Sequence, residues 1–140
     1  MRLVLLIFSI CLCQCFYVSG AIAAEKPGKQ KKQTPFNLYL TAAEAYELKK
    51  RLGNKIYLVD IRTPGEVMFV GMAQDVDVHI PFEFADYSRW DPKKRQYAMK
   101  DNPDFISELQ NQLKQKNLDK DASIILMCRS GSRSAKAARV

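Results

Sequence analysis

Ser123-Ile124-Ile125-Leu126-Met127-Cys128-Arg129-Ser130-Gly131-Ser132-Arg133-Ser134 is the stretch that decides the fold. After Ser123, the residues Ile124 to Met127 are apolar and β-rich. A run of that kind suits a strand covered on both faces, as in a parallel sheet. The strand stops at a cysteine, and a polar loop with one glycine follows. Ala135, Lys136, Ala137, Ala138 and Arg139 then continue as good helix formers. The reading is strand, cysteine loop, helix, with Cys128 at the carboxyl end of the strand.

Working outward, the same alternation recurs. Phe36–Leu40 reads as a short first strand. Thr41-Ala42-Ala43-Glu44 is a capping-box sequence that opens a helix, and Gly53 is a natural residue to close it. Ile56–Ile61 is a second near-continuous apolar run, broken by Thr63-Pro64-Gly65. Glu66–Met72 reads as a short helix or turn. Val76–Ile80 alternates as a third strand and stops at Pro81. Asn102-Pro103 reads as N-cap and first residue of a helix with Phe105, Ile106, Leu109 and Leu113 on one stripe. Strands alternating with helices indicate an α/β domain with a mainly parallel sheet. Ligands of such sheets bind at the carboxyl ends of the strands, where Cys128 lies.

The loop's chemistry follows from its residue types. Successive backbone N–H groups in a tight loop form an anion-binding nest. A helix N-terminus adds positive potential, and Arg129 and Arg133 add two cationic side chains. Each favours a thiolate at Cys128. Gly131 relieves the turn of side-chain clashes. Cysteine phosphatases share this layout, but their Cys-x5-Arg pattern needs arginine where this chain has Ser134. Arg133 comes one position earlier, which suits sulfur better than a bulkier phosphate.

Ile125–Ser134, ILMCRSGSRS, resembles the active-site loop of rhodanese-domain sulfurtransferases. Asp60-Ile61-Arg62-Thr63-Pro64-Gly65-Glu66 is similar to the family's D-x-R-x-x-x-E segment, and Ile80-Pro81 resembles the strand end that follows it. The resemblance spans about residues 38–140. It implies an α/β fold, with a mainly parallel sheet and helices on both faces. It also implies Cys128 as the nucleophile that takes sulfane sulfur from a thiosulfate-type donor. Arg129, Ser130, Gly131, Ser132 and Arg133 would hold the donor and the persulfide. Asp60 and Arg62 would brace the sheet end, most simply as a structural ion pair or cap. The partners implied are a small anionic sulfur donor and a thiol or cyanide-like acceptor, with no cofactor and no metal. Two other readings remain open, a persulfide carrier or redox thiol without turnover, and a rhodanese-like interaction module. Gly71-Met72-Ala73 stands where the family has Gly-His-Ile. The family also continues with a further strand and a final helix, so the 140-residue chain is expected to be a fragment or truncated product that folds poorly alone.

The first residues have a different character. Met1-Arg2, an apolar run from Leu3 to Val18, and the small residues before Glu25 read as a cleaved signal peptide over 1–24. The run is shorter than the roughly 20 residues a membrane-spanning helix needs. The mature protein is then expected in the periplasm or outside the cell, with no membrane attachment. Three of the four cysteines leave with this segment, so Cys128 has no partner for an internal disulfide. The net charge of +7 becomes +6 with the loss of Arg2. Residues 25–35, rich in lysine and glutamine, read as a solvated basic linker, and 36–140 as the domain.

Residues 82–101 mix aromatics with Arg89, Lys93, Lys94, Arg95 and Lys100. That pattern can bind single strands, but no stacking motif accompanies it and export argues against nucleic acid. A long connection packing its aromatics on the domain is the simpler reading, with a lid or a surface for a protein partner as the second. His79 is the only histidine. It has no protease-like partner motif, and one Cys with one His cannot furnish a four-ligand zinc site.

Overall fold

The computed structural model describes residues 24–119 and 121–140. The expected signal segment, with Cys11, Cys13 and Cys15, therefore lies outside the described residues except for Ala24. In chain order the elements are α1 (Ala42–Leu52), β1 (Ile56–Asp60), α2 (Pro64–Val70), β2 (Val78–His79), β3 (Glu83–Asp91), β4 (Gln96–Asp101), α3 (Phe105–Gln115), β5 (Ser123–Met127) and α4 (Ser132–Ala137). Short 3-10 turns occupy Gln30–Lys32 and Gly53–Lys55.

The α/β architecture holds. A parallel sheet has the order β2-β1-β5. Strand β1 is buried along its whole length and forms the centre of that sheet, as its unbroken apolar run requires. Val59, Asp60 and Ile61 are almost completely inaccessible. Tyr57, Val59, Ile61, Ile80, Phe82, Phe105 and Leu113 form the core with Ala137. Phe82 and Phe105 meet edge to face, ring centroids 5.0 Å apart, a favoured aromatic geometry. The register pairs Asp60 with His79 on one side and with Met127 on the other. All three strands thus end together, just before Cys128.

The structure departs from the sequence reading in five places. No strand forms at 36–40; Asn37 adopts a positive φ of 51° there. Thr63-Pro64 starts a helix rather than ending a segment, because Thr63 and Glu66 form a second capping box. Residues 82–101 are a β-hairpin, β3 against β4, in a separate antiparallel sheet. Its Tyr87, Trp90 and Tyr97 stack on one another and stay exposed instead of packing on the domain. Helix α3 starts two residues later than expected. Asn102 is buried and its side chain donates to the Pro81 carbonyl and accepts from Asp104 N–H, so it fixes the turn before the helix. Finally, the segment read as a solvated linker turns at Gln30–Lys32 and lies against α4. There the Arg139 guanidinium donates to the Gln33 carbonyl at 2.8 Å.

Helix α1 is tied to the sheet by a buried cation. Lys49 Nζ reaches the Ile56 carbonyl at 2.8 Å and Asp77 Oδ2 at 2.5 Å. The same Asp77 oxygen accepts Leu58 N–H. Removing the carboxylate strands a buried ammonium. Asp77→Ala is therefore expected to cost about 2–3 kcal/mol, whereas Arg89→Ala, which breaks the exposed Arg89–Asp86 pair, costs under about 1 kcal/mol. Urea unfolding midpoints of the two variants check the contrast.

Candidate active site

Strand β5 delivers Cys128 to the sheet edge half-buried, and it is the one free cysteine among the described residues. The chain then turns back on the sulfur. Gly131 N–H points at Sγ, 3.1 Å away. Gly131 has φ +87° and serves as N-cap of α4, a left-handed conformation that a side chain would strain. Ser134 Oγ lies 3.5 Å from Sγ and 3.2 Å from the Gly131 carbonyl. Its proton has two acceptors. With a thiol either atom can be the donor between hydroxyl and sulfur; with a thiolate only the hydroxyl can donate.

The thiol pKa is set by opposing effects. Burial is the largest influence and raises it. The Ser134 hydroxyl and the backbone N–H groups of Ser134, Ser130 and Gly131 together outweigh burial, so the net value falls below that of an ordinary cysteine. The direction and the part of the backbone N–H groups match the sequence expectation, while the Ser134 hydroxyl is an added agent. The agents are loop dipoles more than arginine charges.

Arg133 explains the difference. Its guanidinium binds Glu66 in bidentate fashion, at 2.6 and 2.7 Å. Glu66 comes from the first turn of α2, where it also accepts Thr63 N–H. The hydrogen bonds from Arg133 first, then those from Thr63, outweigh burial and lower the Glu66 pKa from 4.5 to about 2. In this structure Arg133 clamps the cysteine loop to α2. Arg129 is exposed. Ser130 and Gly131 supply N–H groups to sulfur, while Ser132 lines a shallow cleft beside the loop.

Asp60 and Arg62 form the ion pair anticipated for them. Asp60 is wholly buried and accepts from Arg62 Nε, Nη2 and backbone N–H at 2.6–3.0 Å. Arg62 also donates to the Gly71 carbonyl, pinning the end of α2. His79 Nε2 lies 2.8 Å from the Arg62 carbonyl and holds this turn. No group of three or more potential metal ligands occurs among the described residues. Another shallow cleft, along Gln110, Leu113 and Leu118, is lined by no residue of the cysteine loop.

Two working residues were missed in the sequence. Glu66 closes the Asp60–Glu66 segment, and its place in that segment was the available signal. Ser134 stands out in the sequence only as the position where the phosphatase pattern has arginine.

These features define a class: an α/β domain that presents a cysteine, its anion stabilised by a tight loop, at the carboxyl ends of parallel strands. A family model for the rhodanese-like domain matches residues 44–140, and the chain belongs to that family. A comparison with curated proteins finds no match.

Two outcomes are expected. Ser134→Ala removes a hydrogen bond to the thiolate, so the Cys128 pKa rises; ultraviolet thiolate absorbance against pH checks it. Glu66 has its folded pKa depressed, so its contribution is fully present above about pH 4.5 and is lost as pH falls toward about 2. The stability gap between the parent and Glu66→Gln should be about 1–2 kcal/mol at neutral pH and shrink across that window, read by denaturant melts at several pH values.

Proposed function

We propose that this domain is a thiosulfate-type sulfurtransferase working through a persulfide on Cys128. The setting of the sulfur carries the reading. A thiol with a lowered pKa sits at the sheet edge, with Gly131 N–H on Sγ at 3.1 Å. Membership of the rhodanese-like family supports it.

The chemistry balances without an external oxidant. The Cys128 thiolate attacks the outer sulfur of thiosulfate. The donor's S–S bond breaks and sulfite leaves with its electron pair. Cys128 now carries an anionic terminal sulfur, and the N–H groups of the loop are placed to receive that charge. Cyanide or a thiolate then attacks the terminal sulfur. The Cys128 S–S bond breaks, its electron pair returns to Cys128, and thiocyanate or a new persulfide departs. Asp60, Arg62, Glu66 and Arg133 act by holding the loop in place and touch no reacting atom.

Export is part of the same proposal. The n-region, apolar run and small-residue site in 1–24 support cleavage before Glu25 and a periplasmic or extracellular mature protein. Among the described residues no helix is long and apolar enough to cross a membrane.

Intact mass of the purified protein tests both parts. The expected mass begins at Glu25. It increases by one sulfur atom with thiosulfate, returns to the start with cyanide, and does neither in Cys128→Ser. A folded protein that takes up no sulfur overturns the transferase reading and favours an interaction module.

A further inference from the structure

We propose that Lys31, Lys32 and Arg139 form a cationic rim that draws the anionic end of the sulfur donor toward Cys128; this rests on the sulfur-transfer reading. The basic N-terminal segment would then be a working part of the site. It would select sulfane donors bearing a sulfonate or carboxylate over neutral ones.

Placement comes first. The Gln30–Lys32 turn is held against α4, the helix that follows the cysteine loop. Arg139 binds the Gln33 carbonyl, Gln33 Nε2 donates to the Pro27 carbonyl at 2.9 Å, and Thr34 N–H donates to the Tyr39 hydroxyl at 2.9 Å. The Lys32 side chain runs across Gly131. A Cβ on that glycine would lie 3.8 Å from Lys32 Cδ, and Gly131 N–H is the group that holds Sγ. From the loop a cleft continues between Ser132, Lys31 and Arg139.

Charge comes second. The other two cations lining that cleft are matched by carboxylates. Arg133 is bound to Glu66, and Lys136 to Glu83 and Asp101. Lys31, Lys32 and Arg139 have no carboxylate partner among the described residues. The unpaired positive charge beside the loop therefore comes from these three together with the exposed Arg129 of the loop itself, within reach of a thiol site at ordinary ionic strength. Thiosulfate is a dianion whose charge is shared between the outer sulfur and three sulfonate oxygens, and the oxygens form the end away from the sulfur under attack. A cationic rim beside the nucleophile is placed to hold that end.

The test uses two alkylating probes on the full protein, iodoacetate and neutral iodoacetamide. Each loses iodide to the Cys128 thiolate, and the adduct is read at Cys128 by peptide mass. In the double variant Lys31→Gln, Lys32→Gln the ratio of iodoacetate to iodoacetamide rates should fall roughly fivefold. Added salt should shrink the parent's ratio, and Lys31→Arg with Lys32→Arg should restore it. The thiosulfate concentration for half-maximal sulfur uptake should rise by a similar factor in the Gln variant. A ratio within twofold of the parent's overturns the proposal, as does an equal fall in both rates. A falling ratio in a protein that takes no sulfur from thiosulfate supports the rim and removes the transferase reading instead.

Discussion

The parallel pairing of β1 with β5 is the constraint on which the site depends. Five residue pairs run from Ile56↔Ser123 to Asp60↔Met127. Because the register is fixed and the strands are parallel, both must release their chains on the same edge. One chain enters Asp60-Ile61-Arg62 and α2; the other enters the cysteine loop and α4. A one-residue slip would invert every side chain of β5 and carry Cys128 away from the turn that holds it. The complete burial of Val59 and Ile61 resists such a slip, so the chemistry is positioned by hydrophobic packing well below it.

On that edge the charges arrange themselves in a closed set. Asp60 faces Arg62, and Glu66 faces Arg133. Two acids and two bases leave little net charge on the scaffold. Stabilisation of the sulfur anion falls to oriented N–H groups and a hydroxyl. Such dipoles are fixed by the fold and need little reorganisation when charge moves onto sulfur. A bare guanidinium pressed on the thiolate would have made a stronger trap and a poorer nucleophile.

How much of this could be read in advance depended on whether the signal was local. The run Ser123–Met127 announces a strand because of its apolar, β-rich residues, although β5 lies at the sheet edge and is only partly buried rather than covered on both faces. Thr41 and Glu44 announce a helix because the capping box is contained in four residues. Cys128, the polar loop and Gly131 could be placed for the same reason. Thr63-Pro64 was misread because proline marks both breaks and helix starts, and only the answering Glu66 decides between them. The Arg133–Glu66 pair spans 67 positions, so no window of sequence contains it. The hairpin was obscured by its aromatics, which looked destined for a core; they instead satisfy one another as exposed edge-to-face stacks. Lys31 and Lys32 looked like solvent-facing charges because their neighbour, α4, lies a hundred residues away.

The hairpin has a further meaning for how such a domain changes over generations. Its two ends meet: Glu83 pairs with Asp101, and Asn102 N–H binds the Phe82 carbonyl at 3.0 Å. The main chain thus leaves the core and returns to it at almost the same point, with Lys136 joining Glu83 and Asp101 across the junction. Lengthening a loop anchored in this way adds little closure entropy. β3 and β4 form a sheet of their own and share none of the strands that carry Cys128. Beyond its Glu83–Asp101 junction the hairpin is therefore an appendage that shares no strand with the cysteine loop, a handle set apart from the working edge of the sheet.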